Sequence, residues 1–574
     1  MAKDMSNTMG NKKGEKRNMG NKGTGQNAVK VKDDFSTICS DILSGAVTVG
    51  IVVLLTVFPL IYGDAYFDIL EVKYKCYYLS VLVMLAVVLL LAVIMAIIDA
   101  IEFKSEHTIE LFSRLKPGNW KETFRVADGA VLVFWLTALI STLQSDYLYE
   151  SFWGNEGRYT GLFLLTLYVC AYFVISRLWK KNNWCMELFL ISGMVMCVIG
   201  ITDYFQLDVL DFRGNIKPEQ STLFTSTIGN INTYTAYVGL IMGYSAGLFI
   251  LEKKTWKSIW YYACAVISFF AIIMGCSDNA YLGIAALFGL VPFIAFESRQ
   301  GLKRYLIILA TFFSVVQCID VINQVYADIV VGLDSLFLVM VNFGGLGIAV
   351  ILLWAAAAAF WVYDYKCAGN HSGAAVSADA DKISAEPWGK KLVYAWGIFS
   401  AVVICGLCFA IYDANTGHAE RYGALGSYLA FSDSWGTNRG YIWRQAINLY
   451  KDFPMMHKLF GYGPDTFGIL TLSEIKFDMI NATKQIFDSA HNEYLQYLVT
   501  IGPIGLAAYL VFLVSAFWSM LKARTDVPWA AALVCALVCY AFQAIVNINL
   551  PIATPVMWLM LSVGMAVCRK NNEN

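Results

Sequence analysis

Residues 77–99 read YYLSVLVMLAVVLLLAVIMAIID, with no charge before the final Asp99. A helix rises about 1.5 Å per residue, so this run covers the roughly 30 Å of a bilayer's hydrocarbon core. Comparable runs lie on both sides: 42–62, 127–144, 159–177, 186–206, 232–251, 258–276, 279–297, 303–322, 337–363, 391–412, 493–520, 528–546 and 549–568. They predict an all-α, polytopic helical membrane protein with about fourteen transmembrane helices. Composition agrees. Hydrophobic residues make up 58% of the 574 and charged residues 15%, too few to cover a soluble protein of this size. The net charge of −1 gives no sign of a nucleic-acid partner.

The basic residues set an orientation. If the tail before the first run is inside, the inside loops hold Lys104, Arg114, Lys116, Lys121 and Arg125, then Arg177, Lys180 and Lys181. They continue with Lys253, Lys254 and Lys257, with Arg299, Lys303 and Arg304, with Lys522 and Arg524, and with Arg569 and Lys570 at the end. The short outside loops hold fewer, and Arg158 is alone in its loop. Excess Lys and Arg marks the cytoplasmic side, so both termini are expected there. Residues 1–33 are polar and Gly/Asn/Lys-rich, which reads as a disordered cytoplasmic tail rather than a cleaved signal peptide. The fourteen cysteines sit mostly within apolar runs, and Cys405 and Cys408, the one CxxC, fall inside an expected span. They read as small apolar residues rather than disulfide or metal partners.

The expected organisation is a tail (1–33), eleven spans (34–412), a large outer loop (413–492), three more spans (493–568) and a short cytoplasmic end (569–574). Within the second segment, 364–390 reads as a solvated cytoplasmic linker. The outer loop is far longer than a connection requires and is dense in Trp, Tyr, Phe and Arg, so chemistry is sought there.

From Ser432 to Phe467 that loop reads SDSWGTNRGYIWRQAINLYKDFPMMHKLFGYGPDTF. Thr437 or Asn438 can cap a helix. Ile442, Ala446, Leu449 and Tyr450 then share one face, and Pro454 ends the helix. Arg439 and Trp443 are an i,i+4 pair, while Arg444 points elsewhere. Gly461-Tyr462-Gly463-Pro464 is a turn that lets backbone come close to something. From Asp488 to Leu510 the chain reads DSAHNEYLQYLVTIGPIGLAAYL. Asp488 or Ser489 is the expected cap, His491 falls in the first turn, and Gly502-Pro503 kinks the span. A histidine there feels the positive end of the helix dipole, which disfavours its protonated form and suits it to accept a proton. The same helix end attracts phosphate oxygens.

These motifs resemble the O-antigen ligase-like family, which includes O-antigen ligases and related polymerases of surface polysaccharide. The likeness rests on Arg439 to Trp443, on Gly461 to Phe467, and on His491-Asn492-Glu493-Tyr494-Leu495-Gln496 with Gly502, Gly505 and Leu506. Weaker echoes are GRYTGL, with Arg158 and Gly161, and TSTIGNINTYTAYV, with Gly229, Asn230 and Asn232. One departure stands out: where many members carry a Ser-Arg pair, this chain has Ser277-Asp278-Asn279.

The resemblance implies a GT-C-like helical fold in the plasma membrane and glycan transfer at its outer face. The donor would be a glycan on a polyprenyl-pyrophosphate carrier, and the acceptor a hydroxyl of a glycan, lipid or protein. No metal or cofactor is implied, and no DxD motif lies in the outer loops. Fixed guanidiniums would carry the pyrophosphate charge, because the planar fork of arginine holds two phosphate oxygens and stays charged. On this reading His491 takes the acceptor's proton, Arg439 and Arg158 hold the pyrophosphate, and Arg444 is a further candidate. Trp443 and Tyr462 would stack on sugar or line the lipid path, and Asn492 and Tyr494 complete the substrate-binding set. Asp465 and Glu493 would orient the arginines, and Asp203, Asp278 and Asp320 would be solvated span ends. The plainer readings are an interfacial cap for His491, a head-group anchor for Arg439 and belt aromatics for Trp443 and Tyr462. A flippase would need charges deep in its spans and short outer loops, the reverse of this pattern. A non-catalytic scaffold would need neither His491 nor the arginines.

Overall fold

The computed structural model describes residues 23–114, 124–214, 216–369 and 388–570. Much of the expected linker, residues 1–22 of the expected tail and the last four residues lie outside them. Residues 23–33, expected to be disordered, continue the first helix, and residues 26–33 hold neither proline nor glycine to interrupt it. The apolar helices, numbered in chain order, are α1 Gly23–Leu60, α2 Ile69–Glu102, α3 Val126–Leu143, α4 Leu162–Leu178 and α5 Asn183–Tyr204. Next come α6 Ile231–Leu251, α7 Thr255–Met274, α8 Asn279–Leu290, α9 Arg299–Val325 and α10 Leu346–Gly369. The last are α11 Gly389–Asp413, α12 Glu493–Lys522, α13 Pro528–Gln543 and α14 Thr554–Lys570. Each expected span coincides with one of these. Ten are long and apolar enough to cross a membrane by length and composition, and the regions of α4, α8, α13 and α14 are shorter. The chain is a polytopic all-α membrane protein.

The helices differ in depth. α6 is buried along nearly its whole length, against α13, α7 and α8. Gly239, Gly243 and Gly247 stand four apart on the face it turns to α13. A Cβ on Gly243 would lie 2.7 Å from the Ala536 Cα, and one on Gly247 2.8 Å from the Ala532 Cα. Apolar burial gains little where lipid replaces water, so close backbone packing of small residues holds this pair. α11, by contrast, leaves Ile398, Val402, Phe409 and Tyr412 exposed, as expected for side chains that face lipid. It continues past residue 412 through irregular turns, broken by positive φ at Gly417 and Gly423, to Leu429. Asp203, expected in solvent, is buried. Its carboxylate accepts the Ser226 N–H at 2.6 Å and ties the short ladder Phe224–Thr225/Gly229–Asn230 to the end of α5.

At one end of the bundle the long loop folds over α12 as a cap with its own core. Tyr441, Ile442, Ala446, Phe453, Phe467, Leu470, Met479, Phe487 and Ala490 are buried together with Val499 of α12. The helix Trp435–Asp452 stops just before Phe453-Pro454, and Ile442 and Ala446 face inward as their spacing predicts.

Candidate active site

The cap places the Gly461 turn against the kink of α12. Gly502 has φ 72, breaks the helix before Pro503, and abuts the turn so closely that its Cβ would lie 2.6 Å from the Leu459 carbonyl carbon. Tyr462 N–H donates to Val499 O (3.1 Å) and Gly463 N–H to Thr500 O (2.9 Å). These are carbonyls that the kink frees from the helix ladder. The Gln144 side chain, just past α3, donates to Gly461 O at 2.9 Å. The glycines of the turn are therefore a docking device that fixes the cap on α12.

Asp465, in the same turn, anchors the loop that bears Arg158. Its carboxylate accepts the N–H groups of Asn155 (2.7 Å) and Thr160 (3.1 Å), and its carbonyl accepts from the Asn155 side chain. Burial pushes its carboxyl up to about 6. Arg158, held on that loop, donates through Nε to Asp488 Oδ2 at 2.9 Å and pairs through its other fork nitrogen with Asp488 Oδ1. Asp488 is half exposed, so this pair is solvent-screened.

Three residues on stands His491, and it lies outside the helix. Asn492 is the cap: its side chain accepts the N–H groups of Tyr494 and Leu495, each at 3.0 Å, and α12 begins at Glu493. Asp488 is engaged by Arg158 instead. His491 has φ 47, in the left-handed region, and its ring meets the Phe487 ring edge-on at 5.7 Å. Burial lowers the imidazole pKa to about 4, and the charges of Arg439 and Arg158 act in the same direction against Asp488. The depression expected from the helix dipole thus has a different cause, burial and two guanidiniums.

Arg439 sits where the chain leaves a left-handed stretch. Gly436, Thr437 and Asn438 have φ of 58, 60 and 69, so neither Thr437 nor Asn438 caps the helix. Its Nη1 donates to Gly436 O at 3.0 Å, and its Nε is buried without a hydrogen-bond partner among the described residues. Burial lowers its pKa, which Asp278 opposes. Asp278, the departure noted above, accepts the Tyr428 hydroxyl at 3.1 Å and is a counter-charge to Arg439.

The other candidates are placed differently. Arg444 pairs with Asp433 at 2.6 and 3.0 Å on the exposed side of its helix. Trp443 donates its indole N–H to Ala490 O at 2.9 Å and packs on Trp435. Tyr462 donates to Asp146 at 2.8 Å and stacks on His457. Tyr494 donates to Ala541 O at 2.7 Å, into α13. Glu493 is buried and accepts the hydroxyls of Tyr509 (2.6 Å) and Tyr540 (3.1 Å), so it ties α12 to α13 rather than orienting an arginine. Asp488, expected as a helix cap, and Gln496, quoted in the motif but given no role, are both parts of this site: Asp488 pairs with Arg158, and Gln496 accepts the Ala490 N–H. Among the described residues no group of His, Cys, Asp and Glu is arranged to hold a metal ion.

The arrangement is a neutral imidazole beside two cations, one of which has an unsatisfied donor. It can accept a proton and stabilise an anionic leaving group. A family model described as O-antigen ligase matches residues 263–510. No curated protein matches the chain.

Proposed function

We propose, from the likeness of residues 263–510 to the O-antigen ligase family, a glycan transfer at the outer face of the plasma membrane in polysaccharide assembly. The donor is a glycan linked through pyrophosphate to a polyprenyl lipid. His491 accepts the proton of the acceptor hydroxyl as its oxygen attacks the anomeric carbon of the donor glycan. The bond from that carbon to the phosphate oxygen breaks, and its electron pair leaves with the lipid pyrophosphate. Arg439 and Arg158 bind the pyrophosphate, whose two negative charges gain a third as the bond breaks, so charge developing on the leaving oxygen meets fixed donors and needs no metal.

One observation carries this reading: the loop of Arg158 is tied to Asp488 at 2.9 Å, and the helix of Arg439 is tied through Trp443 to Ala490 at 2.9 Å, so both arginine-bearing elements, remote in sequence, are fastened to the segment of His491. The ligase and the polymerase share this donor chemistry and differ in the acceptor. The test feeds purified protein in liposomes with labelled lipid-linked oligosaccharide and a hydroxyl acceptor. Label on the acceptor supports transfer. Movement of label across the bilayer with no product would replace the proposal with a flippase.

A further inference from the structure

We propose that Trp443 and Gln496 are positioning residues that together clamp the peptide before His491 and so fix where its imidazole stands. The inference rests on the reading of His491 as the base. Ala490 is fully buried, and both of its backbone groups are taken by side chains. Its N–H donates to Gln496 Oε1 at 2.9 Å, and its carbonyl accepts the Trp443 Nε1–H at 2.9 Å. Gln496 is itself buried, on the first turn of α12, and Trp443 comes from the cap helix. The segment from Asp488 to Asn492 belongs to no helix or strand, so these two bonds replace a ladder.

The clamp also explains the spacing from Arg439 to Trp443. One turn of a single helix carries a guanidinium and, on the same face, an indole N–H that reaches the Ala490 carbonyl just before the histidine. The helix therefore works as a ruler between cation and base. Directly after the clamp His491 takes its left-handed backbone, which a β-branched or loosely held residue would leave. The charged groups that bear on the ring are Arg439, Arg158 and Asp488.

The experiment uses the full chain in liposomes with lipid-linked oligosaccharide. W443F keeps a ring on Trp435 and loses the N–H; Q496M keeps the length and loses the acceptor oxygen; Q496E restores an acceptor. In W443F and Q496M, kcat should fall about ten- to a hundred-fold, the cost of displacing a reacting group by about 1 Å. The KM for the donor should change by less than about two-fold, because no phosphate contact is lost. The acidic limb of kcat/KM should move up toward the ordinary histidine value of about 6.5 as the ring leaves its buried, cation-flanked place. Q496E should recover most of the kcat that Q496M loses. Unchanged kcat with an unmoved acidic limb in W443F would overturn the clamp, and so would a change confined to KM. H491A in the same assay separates the two readings. If it transfers normally, the base assignment fails. If it is dead while W443F and Q496M turn over normally, only the clamp fails. Should Q496M not insert, W443F decides alone.

Discussion

Arg439 and Arg444 are five residues apart on one helix and differ in what their guanidiniums meet. Arg444 is already paired with Asp433 in solvent, whereas Arg439 is partly buried and keeps Nε unsatisfied. A fork that holds two phosphate oxygens is not replaced by an ammonium. R439K should therefore lower kcat/KM by about ten- to a hundred-fold, roughly 1.5–3 kcal/mol for a charge-assisted hydrogen bond. R444A should stay within about two-fold of wild type. Equal losses in the two variants, measured as product formed on the acceptor, would contradict the placement of Arg439. His491 gives a second prediction at this scale. The base works when neutral, and its pKa in the free protein is about 4. The acidic limb of kcat/KM should accordingly fall as pH drops through about 4, with no loss between pH 7 and 5.5. An acidic limb centred near 6.5 would mean that the imidazole is neither buried nor flanked by cations.

At the scale of elements, the contact that matters is between the Gly461 turn and the kink of α12. The positive φ of Gly502 and the lack of room for its Cβ act together. G502A should lower the melting temperature in detergent and cut transfer more than ten-fold, since overpacking of this kind costs about 1–3 kcal/mol and moves the cap on which Arg439 rides. G406A, on lipid-facing α11 with nothing within 4 Å of its Cβ, is the control and should change neither. Equal behaviour of the two would remove the docking argument. These elements also show what the sequence could and could not tell. Apolar runs located every apolar helix, because span length and hydropathy are local. The i,i+4 pair Arg439 and Trp443 was legible because its spacing is a helical one, whereas His491, expected in a first turn, stands just before its helix. The cap at Asn492 was missed because Asp488, Ser489 and Asn492 can all cap, and tertiary pairing of Asp488 with Arg158 decides among them. The left-handed run 436–438 and the roles of Trp443 and Gln496 depend on contacts across the fold, which leave no periodic mark.

On the scale of the whole molecule, three helices meet on one buried carboxylate at the end of the bundle away from the cap. Asp128, at the start of α3, is fully buried. It accepts Arg569 at 2.5 and 2.6 Å and the Tyr172 hydroxyl at 2.8 Å, with Arg177 at 3.5 Å. Arg125 reaches the Cys568 carbonyl at 2.7 Å. α3, α4 and α14 thus meet on one charge. D128A leaves guanidiniums facing each other in a buried place, which costs about 3–5 kcal/mol. The variant should unfold at markedly lower temperature in thermal scans of detergent-solubilised protein, with glycan transfer intact below that temperature. An unchanged melting temperature would show that the three helices are held by packing alone.

The most direct test of the central claim is to measure lipid pyrophosphate released and glycan transferred by the same liposomes, for wild type and H491A. The account predicts one pyrophosphate carrier released per glycan transferred by wild type. It predicts a loss of both, by at least about a hundred-fold, in a variant that inserts normally and melts within a few degrees of wild type. Transfer by H491A at the wild-type rate would contradict it.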